Sequence, residues 1–227
     1  MTHDEFLTSM SVHLRHFRDA NHAVQSKSEA WDFISYCLKN QHRSNSQLFQ
    51  DLFVLYFSKE LERGFFIEFG VCDGLRLSNT LLLEASYNWR GIVAEPAKCW
   101  HERLMRNRRA IISTDCVWSE SGKTLSFNET SEAELSTVNE FSDRDGHSAT
   151  RKSGSQYDVQ TISLNDLLKK NNAPKIIDYL SIDTEGSEFS ILNTFDFSYY
   201  EIRLITVEHN FTPDREKIHD LLTSKGY

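Results

Sequence analysis

Hydrophobic residues along the chain follow two spacings, and the change from one to the other divides the sequence. Up to residue 60 there is no Gly or Pro, and apolar residues recur every three or four positions. Trp31, Ile34 and Leu38 form one such stripe, which is typical of an amphipathic helix. From Gly64 onwards short apolar runs alternate with helical patterns. The sequence therefore predicts an N-terminal helical annex over residues 1–60 and an α/β domain over residues 61–227.

The apolar runs of the second part predict parallel strands joined by helices. Predicted strands cover 65–69, 91–94, 110–112, a short region at 117, the surroundings of Val159, 176–182 and 202–207. Predicted helices cover 78–85, 97–108, 164–170, a segment through Ile191, and a last one opened by Pro213. The fold class is thus a doubly wound, mostly parallel Rossmann-like sheet. Residues 119–155 are polar, and we expect a short hairpin near Gly122 and then a long loop or lid.

Composition and net charge limit the kinds of partner that the protein is expected to bind. With 227 residues, of which 39% are hydrophobic, the chain can bury the core of one α/β domain with an annex. Its net charge of −8 and its pI near 5.6 argue against a nucleic acid as the main partner, because such binding depends on Lys and Arg that neutralise phosphates. The N-terminal stripes fit packing against the main domain or against a second copy, so a homo-oligomer is one expectation.

The cysteines and the apolar runs indicate a reduced, intracellular setting. Cys37, Cys72, Cys99 and Cys116 form no CxxC pair, so we expect neither a disulfide framework nor a structural zinc. No apolar run approaches the roughly 18 residues of a membrane span. The N-terminus lacks a signal-peptide pattern, and the expected location is cytoplasmic.

Two predicted strands end in a pattern that suits a nucleoside. The segment 65–74 reads FFIEFGVCDG, in which Gly70 and Gly74 allow sharp turns and close approach of the backbone to a ligand. The next strand, GIVA, ends at Glu95. An acid roughly 20 residues after such a turn can accept hydrogen bonds from both hydroxyls of a ribose.

The same segment argues against a phosphate ligand. It has no Lys, it carries Asp73, and its glycine spacing does not match G-x-G-x-x-G. A ligand with a ribose and a positive centre fits better, because carboxylates bind the diol and favour the cations. S-adenosylmethionine, with an ammonium and a sulfonium, is such a ligand and is the cofactor that the sequence indicates.

Two motifs resemble a known family. Residues 68–74, EFGVCDG, resemble the first motif of class I methyltransferases, with Cys72 at the usual place of the middle glycine. Residues 182–188, IDTEGSE, resemble the D-x-E-G-x-E signature of the FkbM-type methyltransferases. The resemblance covers about residues 46–227, including the opening segment 46–51, SQLFQD. It implies two further strands after Tyr227, which this sequence does not contain.

The predicted cofactor-binding residues follow from the strand ends and the resemblance. They are Glu68, Gly70, Asp73, Gly74, Ser78, Glu95, Asp115 and Cys116. Glu95 is expected to bind the ribose, and the resemblance places Asp115 and Cys116 near the adenine. Glu68 could equally have a structural role, and Ser78 could cap a helix.

Transfer of a methyl group to an alcohol needs a base, and three residues at strand ends are candidates. Asp183, Glu185 and His209 are the predicted catalytic residues. No spacing requires a metal, and none is predicted. The acceptor, a hydroxyl on a small molecule, namely a sugar, glycan precursor or secondary metabolite, is implied by the resemblance alone. In the predicted lid, polar residues could bind it: Asp143, Arg144, Asp145 and His147.

Two other functions remain open at this point. One is an NAD-dependent oxidoreductase, against which the glycine spacing and Asp73 count. The other is a non-catalytic module that binds the cofactor without turnover.

Overall fold

A computed structural model describes residues 29–143, 146–210 and 212–227. Contacts divide the chain into two units, residues up to Lys39 and Asn40–Tyr227. In the first, helix α1 spans Glu29–Asn40, which confirms the helical stripe that contains Trp31. The helical predictions for residues 1–28 lie outside the described residues. The boundary at residue 60 stays a prediction.

The second unit contains the remaining helices. They are α2 (Gln50–Phe57), α3 (Leu81–Tyr87), α4 (Lys98–Asn107), α5 (Ser148–Arg151), α6 (Leu164–Lys170), α7 (Glu188–Asn193) and α8 (Asp214–Ser224). Helix α6 begins where the sequence predicts, because the Ser163 hydroxyl accepts a hydrogen bond from the backbone N–H of Asp166 at 3.1 Å. Among the described residues, no helix is both long enough and apolar enough to cross a membrane.

A five-stranded parallel sheet forms the centre of this unit. Its strands are β1 (Phe65–Phe69), β2 (Arg90–Ala94), β3 (Ile111–Ser113), β8 (Ile176–Ile182) and β9 (Glu201–Val207). Their order is β3-β2-β1-β8-β9, so the chain reverses its direction of winding between β1 and β8. This is the topological switch point at which open α/β sheets bind ligands, and the predicted α/β fold class is confirmed.

The register aligns the ends of four strands at one edge of this sheet. Phe69 of β1 pairs with Ala94 of β2 and with Ile182 of β8, which itself pairs with Val207 of β9. The residues that follow these four strands are therefore level with one another. They are Gly70, Glu95, Asp183 and Glu208.

The polar segment 119–155 belongs to a second sheet, which the sequence did not predict. Strands β4 (Cys116–Trp118), β5 (Thr124–Glu129), β6 (Thr137–Val138) and β7 (Ser155–Ser163) pair in the order β4-β7-β5-β6. The expected long loop is thus replaced by two strands, short 3₁₀ turns and α5. Apolar residues are few here, but Phe127, Val138 and Phe141 pack in one buried cluster with Cys116 and Val159.

The hydrophobic core lies around the central strands. Ile67, Ile92 and Leu180 have no exposed surface, and they pack with Leu167 and Ile191 from the flanking helices. Strands buried on both faces read as continuous apolar runs, which explains why the sequence located β1, β2 and β8 so closely.

Candidate functional site

A cavity of about 300 Å³ opens at the carboxyl ends of β1, β2, β8 and β9. The second sheet and the turn Ala133–Leu135 form its opposite wall. Of the described residues, six with carboxylate side chains line it: Glu68, Glu95, Glu134, Asp183, Glu185 and Glu208. Among the described lining residues, Arg76 is the only Lys or Arg. The cavity therefore favours cationic ligands.

The loop after β1 approaches β8 closely at Gly70. Its φ angle is +74°, and a Cβ atom there would lie 1.8 Å from the carbonyl oxygen of Asp183. Only glycine fits both the angle and the contact. Gly70 thus lines the cavity beside Asp183, as the sequence suggests.

At position 74 a glycine is required for a different structural reason. Its φ angle is +79°, and a Cβ atom there would lie 2.6 Å from Cγ of Arg108 and 2.8 Å from Cδ1 of Leu104. It is not among the residues that line the cavity. Its role as a cofactor contact stays a prediction, whereas its contact with Leu104 and Arg108 requires a glycine for packing.

Glu95 lies in the cavity wall with both carboxylate oxygens held in place. Oε2 accepts a hydrogen bond from the N–H of Cys72 at 2.8 Å, and Oε1 accepts one from the N–H of Ala97 at 2.9 Å. The residue is only 4% exposed, and burial raises its pKa to about 7 against these two lowering contacts. Each oxygen keeps a further lone pair, so the carboxylate can accept two more donors.

Glu68 is engaged by the protein itself. Its carboxylate accepts hydrogen bonds from the backbone N–H of Asn79 at 2.6 Å, the Ser78 hydroxyl at 3.0 Å and the Thr80 hydroxyl. Arg108 lies 3.4 Å from the same carboxylate. Glu68 and Ser78 therefore hold the segment 78–80 in place, and Glu68 also lines the cavity.

Two predicted cofactor residues make their contacts elsewhere. The Asp73 carboxylate accepts hydrogen bonds from the N–H groups of Leu75 and Arg76 at 2.9 and 3.0 Å, which closes a turn. Asp115 lies 3.3 Å from Nζ of Lys170. Neither lines the cavity.

One end of the cavity is apolar. Cys116 and Val117 of β4, Pro96 and Phe127 contribute to this wall. Burial raises the pKa of the Cys116 thiol to about 12, so it behaves as an apolar wall rather than as a nucleophile. Such a wall suits a flat heterocycle.

Carboxylates crowd the other end, at β8 and β9. One carboxylate oxygen from each of Asp183, Glu185 and Glu208 lies within 4.8 Å of the others. Burial, and then the Glu208 carboxyl, raise the pKa of Asp183 well above its ordinary range. A neighbouring carboxylate disfavours the ionised form of Asp183.

Glu185 is held in place by the second sheet and its connections. Its Oε2 accepts hydrogen bonds from Arg151 at 2.8 Å and from Asn210 at 3.1 Å. Its carbonyl oxygen accepts one from the Thr137 hydroxyl at 2.9 Å. The Arg151 side chain has no exposed surface, so its charge acts on Glu185 with little screening.

These three carboxylates could also hold a divalent cation. Oxygen ligands suit Mg²⁺ or Ca²⁺, but Oε2 of Glu185 already accepts from a guanidinium, which competes with a cation. The absence of a required metal stays a prediction. Glu188 lies outside the group, because its carboxylate accepts hydrogen bonds from Thr184 and Gly186 and fixes the turn.

The histidines lie in different places. His209 borders a neighbouring cavity of about 320 Å³, which shares Glu185 and Asn210 with the first cavity. His147 lines the first cavity, whereas Arg144 and Asp145 lie outside the described residues. Asp183 lines the first cavity, whereas His209 is not among the described residues that line it.

Several residues of this region were not predicted from the sequence. Asn79 and Arg76 line the cavity, and Arg108 and Arg151 support it from buried positions. Glu208, which directly follows the predicted strand 202–207, was not predicted as a site residue. A signal was present for Glu208, since it follows β9 as Asp183 follows β8. For the two buried arginines the sequence contains none.

Comparison with known proteins identifies a family. The family model described as the Methyltransferase FkbM domain matches residues 68–227, which is more than half of the chain and includes both motifs. No curated protein and no solved structure matches the chain.

Proposed function

The chain belongs to the FkbM methyltransferase family, and from this premise we propose that it is an S-adenosylmethionine-dependent O-methyltransferase. The observation that carries the proposal is the cavity at the switch point, where Glu95 offers two fixed acceptor oxygens in an acidic surrounding. The proposed acceptor is a hydroxyl of a sugar, a glycan precursor or a secondary metabolite.

The residues present fit this cofactor. The lone pairs left on Glu95 match two ribose hydroxyls. The wall formed by Cys116, Val117 and Phe127 matches the adenine. Six lining carboxylates favour the ammonium and the sulfonium, and they disfavour a pyrophosphate. In addition, Oδ1 of Asn79 is a buried acceptor for which the described residues supply no donor.

The cofactor supplies a methyl group bound to a positively charged sulfur. The chain's own residues have to orient the acceptor hydroxyl and take its proton. Asp183 and Glu208 are the proposed proton acceptor, because they are adjacent and line the acidic end of the cavity. Glu185, paired with Arg151, is the proposed residue that orients the acceptor. The second sheet is proposed to shape the acceptor side.

Calorimetric titration with S-adenosylhomocysteine and with NAD tests this function directly. We expect binding of the first ligand and none of the second. Binding of NAD alone would contradict the proposal and favour an oxidoreductase. Binding of S-adenosylhomocysteine without methyl transfer to any hydroxyl compound of a screened set would favour a non-catalytic module.

Replacing Glu95 by alanine is expected to lower the affinity for S-adenosylhomocysteine about 100-fold or more, because two hydrogen bonds to a charged acceptor are lost. Glu102→Ala, at an exposed position on α4, is the matched control and should bind as the wild type does. Unchanged affinity in Glu95→Ala would exclude the ribose role.

The same carboxylate predicts a pH dependence of binding. Burial raises the pKa of Glu95 to about 7, and hydroxyls donate more strongly to the ionised form than to the protonated one. Affinity should therefore rise several-fold as the pH increases through about 7 and then level off. Titrations of the wild type and of Glu95→Ala over this range check it, and the variant should show no such rise.

A further inference from the structure

We propose that Asn79 and Arg76 form a recognition site for a zwitterionic amino acid group, in which Asn79 accepts from the ammonium and Arg76 binds the carboxylate. This inference rests on the proposed function, because the methionyl part of the cofactor is such a group. It assigns two residues that neither the motif glycines nor Glu95 would identify.

Asn79 carries an acceptor that the protein leaves unused. The residue is 8% exposed and lines the cavity, and within the described part of the chain its Oδ1 has no hydrogen-bond partner. Its other polar atoms are satisfied: Nδ2 donates to the Ser181 hydroxyl at 2.9 Å, and the backbone N–H donates to Glu68 at 2.6 Å. The side chain is thus held in one orientation. A buried acceptor without a donor is costly, and a ligand donor would remove that cost.

The unpartnered oxygen of Asn79 differs in position from the other buried polar atoms that have no partner. Among the described residues, Trp100 and Asn128 also have a buried polar atom without a partner, but neither lines the cavity. Asn79 shares the cavity wall with Glu68 and Asp183. An amide oxygen forms a stronger hydrogen bond with a cationic donor, such as an ammonium, than with a neutral one.

Arg76 provides the opposite charge at the mouth of the same cavity. Its backbone is fixed by the Asp73 turn, and Nη1 lies 3.2 Å from Oε1 of Glu134 on the opposite wall. Glu134 shows that a carboxylate can reach this guanidinium. The pair is exposed, with 74% of the Arg76 side chain accessible, so it contributes little stability and exchanges easily. A guanidinium has five donors, and Glu134 takes only one of them in the described contacts.

The two residues together explain how an acidic cavity can hold a ligand carboxylate. Arg76 is the only Lys or Arg among the described residues that line the cavity, so a ligand carboxylate can meet a lining cation only there. Arg76 lies three positions before Asn79, so a ligand with both charges is oriented by one short segment. A ligand without an amino acid group would gain nothing from either residue.

Binding of two ligands separates this inference from the proposed function. S-adenosylhomocysteine carries the amino acid group, and 5′-methylthioadenosine has the same nucleoside without it. We expect Arg76→Gln to weaken S-adenosylhomocysteine about ten-fold and to leave 5′-methylthioadenosine unchanged. Arg106→Gln, an exposed arginine that pairs with Glu102 on α4, is the matched control and should change neither affinity. Asn79→Ala should give the same selective loss.

Failure of this inference and failure of the proposed function give different binding results. Equal weakening of both ligands in Arg76→Gln, or no weakening of either, would overturn the inference while the proposed function stands. Failure of both ligands to bind the wild-type protein would overturn the proposed function and this inference with it. Since Arg76 is exposed, its replacement is not expected to impair folding, and the test does not depend on Asn79→Ala alone.

Discussion

Arg108→Met is expected to lower the free energy of unfolding by about 3–5 kcal/mol, because it leaves buried carboxylates without their cation. The Arg108 side chain has no exposed surface and pairs with Glu68 at 3.4 Å and with Glu84 at 3.0 Å. Both acids are themselves buried. It also donates to the hydroxyls of Ser78 and Thr80 at 3.0 and 2.7 Å.

Arg109 supplies the matched control for this measurement. It follows Arg108 directly and reaches the same Glu84 at 3.7 Å, but 74% of its side chain is exposed. Arg109→Met should therefore cost less than about 1 kcal/mol. Urea denaturation of the two variants gives the comparison. Equal losses of unfolding free energy in both variants would show that burial of the Arg108 charge does not cause the destabilisation.

Asp183→Asn is expected to lower kcat for methyl transfer by about 10²- to 10⁴-fold, which is the usual contribution of a general base. The amide keeps the size of the side chain but cannot accept the acceptor's proton. The affinity for S-adenosylhomocysteine should change little, because Glu95 and the apolar wall are untouched. Single-turnover rates and calorimetry on the same preparation separate the two effects.

Variants of Glu208 and His209 distinguish between two assignments of the general base. If Asp183 and Glu208 act as a pair, Glu208→Gln should also lower kcat strongly, and the double variant should lose little more than either single one. His209→Asn should have a much smaller effect, because His209 borders the neighbouring cavity. A large loss in His209→Asn with near-normal activity in Asp183→Asn would assign the base to the histidine.

The ends of the central strands were predictable because a strand buried on both faces consists of consecutive apolar residues. Strands β1 and β8 are buried on both faces and read as apolar runs, so their last residues are visible in the sequence. Once the strands are parallel neighbours, Gly70, Glu95 and Asp183 must meet at one edge. The segment 119–155 was not predictable in this way, because its two strands contain few apolar residues and β5 exposes Thr124 and Ser126.

Side-chain partners that are distant in sequence could not be predicted. Gly74 reads as a ligand-binding glycine, yet Arg108 and Leu104 occupy the space beside it. Arg108 is the last residue of the predicted helix 97–108, and nothing in the sequence shows that its side chain lies buried against Glu68 and Glu84. Each of these contacts depends on packing between separate elements.

The sequence by itself determined the class of fold, the edge of the sheet that holds the site, and the acidic character of that site. These follow from periodicity and strand register, which are local and repeat along the chain. Only the tertiary structure decided which acids lack an arginine partner. Glu68 is paired with Arg108 and Glu185 with Arg151, whereas Asp183 lies beside Glu208. The physical reason is that the state of a carboxylate depends on its burial and on its nearest cation, and both are set by residues far away in the chain.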